Sequence, residues 1–184
     1  MKRNLIQILI LIQIGGLGLM TVITLFSFAL GKRLGLYNRI VLMQSAGNMT
    51  LSGVSNLIRR IIPFAFVIEG GGAVLLSLRF IPEFGWGRGL WFSLFHSVSA
   101  YCNAGFDLMG GREPFSSLTA YVGDPLVILT LSALIVIGGL GFLVWRDIGN
   151  CGFCFSKYQL HTKLVLTSSA VLLLGGWLLF LVFE

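Results

Sequence analysis

A short segment, Cys102-Asn103-Ala104-Gly105-Phe106, follows an uncharged apolar stretch and contains the residues best suited to bind an ion. A row of backbone carbonyls can replace the hydration shell of a cation, and glycine permits the backbone conformation that such a row requires. Residues 87–100 predict a helix about 20 Å long, little more than half of a ~30 Å hydrocarbon core. The partial negative charge at its end favours a cation. This pattern predicts an ion filter at residues 103–106, although the tetrapeptide Asn-Ala-Gly-Phe alone also fits a tight turn between interfacial helices.

Three ionisable side chains near this segment each have two interpretations. Glu69 lies in an apolar run, where a carboxylate is either a proton or cation relay or a structural acid buried against its neighbours. His96 is either a functional group or a packed side chain of the half-helix that is hydrogen-bonded to a neighbour. We expect the structural role for both. Asp107 either concentrates cations at a pore mouth or caps the following turn, and the sequence favours neither.

The pair Cys151 and Cys154, with His161 nearby, is a candidate metal site. Tetrahedral zinc needs four ligands, however, and this loop offers no second close pair. A redox pair would need a βαβ context, which is missing, and three cysteines are too few for a disulfide framework. We therefore expect ordinary loop cysteines, no cofactor, and no metal beyond a transported monovalent cation.

The composition places these residues in a membrane protein. Of 184 residues, 56% are apolar and 11% are charged, and the mean hydropathy is +0.91. Soluble domains carry about 25% charged residues, so a soluble enzyme is excluded. The 24 glycines suit closely packed helices in lipid. The net charge of +6 is explained by basic residues clustered between apolar runs, without nucleic-acid binding.

The apolar runs predict an all-α integral membrane fold with four spanning helices. Uncharged or nearly uncharged stretches cover residues 4–30, 61–78, 125–145 and 164–184, and each is close to the roughly 20 residues that a spanning helix needs. Asp124 is the expected N-cap of the third, with Pro125 in its first turn.

The distribution of basic residues predicts the orientation. Residues 31–60 contain five Lys or Arg and no acid, and residues 146–163 contain three, so both loops are expected to be cytoplasmic. The half-helix then enters from outside, and the first helix begins outside. Because Lys2 and Arg3 before an apolar run would favour the opposite orientation, we expect Met1 to be an internal methionine of a longer protein.

A repeated motif organises these helices. The sequence IQIGGLG at residues 12–18 recurs as IVIGGLG at residues 135–141, and the Gly-rich residues 67–72 have a weaker echo at residues 173–176. Residues 4–30 are therefore predicted to be the second transmembrane helix of a preceding repeat. Residues 61–145 form one complete helix–pore loop–helix repeat, and residues 164–184 form the first transmembrane helix of the next.

The motifs IQIGGLGLMT, FHSVSAYCNAGFDLMGG and IVIGGLGFLVWRDI occur in an order that resembles the membrane subunit of the Trk/Ktr/HKT superfamily of potassium and sodium transporters. The resemblance implies four helix–pore loop–helix repeats around one pore, in a multi-pass protein of the cell membrane. It implies that Gly105 is the filter glycine, with Cys102, Asn103, Ala104 and Phe106 around it. It also implies a homodimer and a cytosolic nucleotide-binding regulatory subunit.

One pore loop is a quarter of such a filter, so the chain is expected to be a fragment that needs the remaining repeats and a lipid bilayer. We do not expect an enzyme, because the sequence contains no H-E-x-x-H or G-x-S-x-G motif. The alternative is a membrane-embedded scaffold, or an enzyme that uses His96, Asp107 and Cys102, without ion transport. Whether potassium or sodium is preferred is left open by a single visible filter glycine.

Overall fold

The computed structural model of the chain describes residues 2–16, 51–111, 115–152 and 154–183. They form five α-helices: α1 (Lys2–Gly16), α2 (Leu51–Tyr101), α3 (Pro125–Leu140), α4 (Phe142–Cys151) and α5 (Leu160–Phe183). The described residues contain no strand, so the predicted all-α class is confirmed. The chain divides into two compact units, residues 1–139 and 140–184, which are described separately below.

Among the described residues, two helices are long and apolar enough to cross a membrane. They are the part of α2 from Ile62 to Tyr101 and the whole of α5. A third span is present if α3 and α4, which form a bent pair, are counted together. The remainder of the predicted span at residues 4–30, beyond α1, lies outside the described residues, as does most of the predicted loop 31–60. Residues 51–60 of that loop are helical and begin α2.

Helix α2 consists of two limbs joined at Gly85, whose φ of 78° and ψ of 166° are not helical. Such a positive φ is accessible to glycine without the steric cost that a side chain would add. We call residues 51–84 the first limb and residues 86–101 the second limb. The second limb differs from the predicted half-helix 87–100 by one residue at each end, and at 1.5 Å per residue it is about 24 Å long.

The second limb runs back along the first. A Cβ atom at Gly89 would lie 2.6 Å from the Cα of Ile81, and the hydroxyl of Ser97 donates to the backbone carbonyl of Glu69 at 2.6 Å. As the residue number rises along the second limb, from 89 to 97, that of its partner in the first limb falls, from 81 to 69. The two limbs are therefore antiparallel. The absence of a side chain at Gly89 allows the two backbones to approach this closely.

Aromatic side chains fill the space between the limbs and the start of α3. Phe80 is fully buried and makes edge contacts with Phe84, His96 and Tyr121 at ring-centroid distances of 6.1, 5.7 and 5.3 Å. These are the separations at which aromatic rings attract through their quadrupoles. The core around Phe80 also contains Leu76, Met109 and Val127. It joins both limbs to the segment that follows them.

Helix α3 begins at Pro125, and Asp124 is its N-cap, as the sequence predicts. The Oδ1 atom of Asp124 accepts hydrogen bonds from the backbone N–H groups of Leu126 and Val127, and Oδ2 accepts one from Arg79 Nε at 2.6 Å. Desolvation acts to raise the pKa of this carboxyl, but these hydrogen bonds and the charge of Arg79 lower the pKa below its ordinary value. Asp124 thereby ties the start of α3 to the first limb of α2.

The sequence predicts one spanning helix over residues 125–145, but the structure has two helices there, so the prediction of a single helix is wrong. Helix α3 ends at Leu140 and α4 begins at Phe142, because Gly141 between them has a φ of 79° and cannot continue the α-helical hydrogen-bond pattern. Within the predicted loop 146–163, α4 extends to Cys151 and α5 begins at Leu160.

In the second unit, Asp147 holds the connection between α4 and α5. Its side chain is buried, and its Oδ2 atom accepts a hydrogen bond from the backbone N–H of Gln159 at 2.8 Å. The hydroxyl of Tyr158 donates to the carbonyl of Gly152 at 2.6 Å. A buried carboxylate thus satisfies a backbone donor just before α5, where helices leave such donors unpaired.

We expect Gly89→Ala to destabilise the chain, because the added methyl group would collide with the backbone of Ile81 and Phe80. Overpacking of this kind costs about 1–3 kcal/mol. The matched control is Gly87→Ala, where a Cβ meets no atom within 4 Å and alanine favours helix. Thermal unfolding of the purified chain in detergent measures both. Equal melting temperatures for the two variants would contradict the close packing of the limbs.

Candidate filter segment

The second limb unwinds at the predicted filter. The N–H of Cys102 donates to the carbonyl of Val98, four residues earlier, at 2.9 Å, as in an α-helix. The N–H of Asn103 instead donates to Ala100, three residues earlier, and that of Ala104 to Ser99, five residues earlier. Asn103 and Gly105 have φ values of 53° and 71°. Asparagine and glycine are the residues that accept such left-handed conformations most readily. The sequence itself therefore ends the helix here.

Unwinding leaves a run of backbone carbonyls that have no hydrogen-bond donor among the described residues. No described residue donates a hydrogen bond to the carbonyl oxygen of Asn103, Ala104 or Gly105. The negative end of the second limb's dipole adjoins the same residues. Carbonyl oxygens in this electrostatic setting can coordinate a cation.

Two side chains of the second limb hold the outgoing part of the segment. The hydroxyl of Ser99 donates to the carbonyl of Phe106 at 2.7 Å and accepts the N–H of the same residue at 2.9 Å. His96, only 2% exposed, contacts the carbonyl of Phe92 through Nδ1 at 2.7 Å and accepts the N–H of Leu108 at Nε2, at 3.3 Å. Because a carbonyl only accepts and an N–H only donates, these partners assign a neutral imidazole with its proton on Nδ1.

Glu69 lies behind the start of the segment and is 3% exposed. Gln13 donates from Nε2 to both carboxylate oxygens, at 2.8 and 3.1 Å, and the thiol of Cys102 lies 3.9 Å from Oε1. The predicted filter residue Cys102 and the predicted intramembrane acid Glu69 are therefore in contact. Sequence reasoning missed Gln13 and Ser99, because only the fold brings them to these partners.

Both copies of the repeated glycine motif pack against this region. A Cβ at Gly16 would collide with the side chain of Cys102, and one at Gly138 would collide with the backbone carbonyl of Tyr101. The amide of Asn103 also reaches the carbonyl of Ile135, at 3.4 Å. The repeated motif was the signal for these glycines, but its spacing alone does not show what each one contacts.

Asp107 lies just beyond the segment, at an open cavity of about 460 Å³ that Gly110, Phe115 and Ser117 also line. Its Oδ1 atom accepts the backbone N–H of Met109 at 2.9 Å, which is the turn-capping interaction. Asp107 therefore both caps this turn and lines the cavity. Capping and attraction of cations are thus compatible at Asp107.

The loop cysteines are not brought to a common ligand set. Cys151 contacts Asp147 at 3.9 Å and the carbonyl of Lys157 at 3.7 Å, while Cys154 is exposed. Within the described ranges, no three His, Cys, Asp or Glu side chains are grouped so that they could hold a metal ion.

Comparison with known proteins identifies the family. Residues 2–163 match the family model TrkH, described as a cation transport protein. The chain belongs to the TrkH family. The predicted resemblance to this superfamily is therefore confirmed, and the family is one of transporters.

Curated relatives extend this result. The chain is 48% identical over 177 residues to the potassium/sodium uptake protein NtpJ of Enterococcus hirae, covering 96% of the chain and 38% of that protein. It is 42% identical over 162 residues to the Ktr system potassium uptake protein B of Bacillus subtilis, covering 88% of the chain and 35% of that protein. It is 40% identical over 182 residues to the Ktr system potassium uptake protein B of Vibrio alginolyticus, covering 97% of the chain and 38% of that protein. The chain thus spans little more than a third of the length of these relatives.

Ser99→Ala should loosen the segment, because both backbone groups of Phe106 lose their partner. A hydrogen bond of about 1–1.4 kcal/mol corresponds to roughly fivefold to tenfold faster amide exchange at Phe106. Hydrogen–deuterium exchange of residues 103–108 measures this change. Ser93→Ala is the control, because the partner of Ser93 among the described residues is the carbonyl of Gly89, within its own limb. Unchanged exchange in Ser99→Ala would show that the hydroxyl does not hold the segment.

Proposed function

We propose that the chain is one segment of a longer transporter that moves potassium or sodium ions across the cell membrane, and that residues 102–106 supply one part of its filter. The observation that carries the proposal is the half-helix that ends at an unwound segment whose carbonyls at residues 103–105 accept no hydrogen bond from the described residues. Membership of a cation transport family and the printed names of the relatives support the same function.

The physical basis is replacement of water by protein oxygen atoms. A cation enters the filter only if carbonyl oxygens compensate for its lost hydration shell. Ser99 and His96 hold the chain just after these carbonyls, through Phe106 and Leu108. The carbonyls therefore need little reorganisation when the ion arrives. Asp107, at the cavity just beyond the segment, attracts cations to this end through its charge.

The proposal includes the surroundings that the family resemblance implies. The remaining repeats complete the pore, and residues 31–60 and 146–163 lie on the cytoplasmic side. Two copies of the full-length transporter form a homodimer, and a cytosolic nucleotide-binding subunit regulates it. The apolar helices support placement in a membrane.

Gly105→Ser in the full-length transporter should reduce discrimination between potassium and sodium. A side chain at a φ of 71° strains the backbone, and its Cβ enters open space beside the filter carbonyls. We expect the uptake ratio of the two ions to move toward one by about tenfold, which is ~1.4 kcal/mol of differential binding. Ion uptake in a potassium-uptake-deficient strain measures the ratio.

The control for this variant is Gly123→Ser, just before α3, where a Cβ also meets no atom within 4 Å and φ is not positive. Its uptake ratio should match that of the unmodified transporter. A normal ratio for Gly105→Ser, in protein that reaches the membrane in normal amounts, would contradict the filter assignment.

The orientation is tested by labelling single cysteines in the full-length transporter on intact cells, with the native cysteines replaced. An impermeant thiol reagent should label Ser116→Cys and not Ser52→Cys, because the basic loop 31–60 resists translocation. Ser52 should become reactive once the cells are permeabilised, which controls for burial. The reverse pattern would put the entrance of the half-helix on the cytoplasmic side.

A further inference from the structure

An acid and an amide are paired behind the filter segment, deep in the apolar part of the first unit. Glu69 is 3% exposed, and Gln13 donates to both of its carboxylate oxygens. Polar groups at membrane depth are costly, and those that are present usually serve a function. The pair needs an explanation beyond packing, because two apolar residues would fill the same space without that cost.

The pair reaches the filter through Cys102. The thiol of Cys102 points at Oε1 of Glu69. The Cys102 side chain also packs so closely on Gly16 that a Cβ atom at Gly16 would collide with it. Cys102 is therefore held between α1 and the first limb of α2. The backbone carbonyl of Glu69 also accepts the hydroxyl of Ser97, so the acid is fixed to the second limb as well.

Comparison of the internal repeats shows that this pair is not required by the architecture. The residue equivalent to Gln13 in the second copy of the glycine motif is Val136. The residue equivalent to Glu69 in the weaker Gly-rich repeat is Leu173 or Leu174, depending on which glycines are aligned. One repeat boundary in this sequence thus has an amide and an acid where the next has two apolar residues.

We propose that Glu69 is a positioning residue that, together with Gln13, fixes Cys102 at the entrance to the filter and so sets the ion preference of the transporter. This inference rests on the proposed filter function of residues 102–106. The carboxylate does not touch the ion. It acts by restricting where the backbone of Cys102 can lie, and small shifts of coordinating carbonyls change their relative affinity for two cations of different size.

The decisive experiment is a double-mutant cycle in the full-length transporter. Glu69→Leu and Gln13→Val introduce the apolar residue types found at the equivalent positions. Each single variant should move the potassium-to-sodium uptake ratio toward one by about fivefold, the effect expected for one lost hydrogen bond near 1 kcal/mol. The double variant should show the same change as one single variant, not the product of both, because both substitutions break the same interaction.

Rescue distinguishes positioning from simple loss of structure. The reversed pair, Gln13→Glu with Glu69→Gln, restores an acid and an amide at hydrogen-bond distance, so its uptake ratio should be within about twofold of the unmodified transporter. If Glu69→Leu does not reach the membrane, Gln13→Val and the reversed pair still complete the comparison. A ratio that is normal in Gln13→Val, or still impaired in the reversed pair, would overturn the proposal.

Gly105→Ser separates this inference from the proposed function. If Gly105→Ser lowers discrimination and the variants of the pair do not, residues 102–106 are the filter and Glu69 has no role in its preference. If none of these variants changes the uptake ratio, the proposed filter function itself fails.

Discussion

The structure depends on one constraint: a backbone that leaves its helix at membrane depth must find hydrogen-bond partners in the protein, because lipid provides none. After Tyr101 the chain is no longer helical, yet Ser99 satisfies both backbone groups of Phe106, and His96 accepts the N–H of Leu108. Both side chains belong to the helix that leads into the segment. One element therefore delivers the chain and holds its exit, and no described residue donates a hydrogen bond to the carbonyls of residues 103–105 between them.

Close backbone approach is the second requirement, and it explains Gly16 and Gly138. At Gly16 and Gly138 a Cβ would collide with Cys102 and with the carbonyl of Tyr101, so α1 and α3 can both pack directly on the end of the second limb. Between helices in lipid, such contacts provide much of the association energy, since the hydrophobic effect is weak there. The repeated glycine motif is thus a packing surface that fixes the unwound segment from two sides.

Features that depend on local sequence could be predicted. The cap at Asp124 follows from residue type beside Pro125, and the half-helix follows from an apolar run too short to span. The break at Gly141 was missed, because a glycine within an apolar run is also compatible with a continuous helix. The contacts of Gln13 with Glu69 and of Ser99 with Phe106 were missed for a different reason. Which buried polar groups come into contact depends on the folded backbone, and the periodicity of the sequence does not predict these pairs.

The two copies of the glycine motif show how one architecture can carry different polar groups. One glycine of each copy, Gly16 or Gly138, allows a close helix approach, whereas position 13 is glutamine and its equivalent, position 136, is valine. An amide at position 13 is tolerated because Glu69 accepts both of its hydrogen bonds within the protein. Glycine-mediated packing of the two motif copies therefore does not require the same polar residue at the equivalent position of each copy. Under the proposed filter function, differences at such residues behind residues 102–106 would make this segment unlike its counterparts while the backbone carbonyls stay the same.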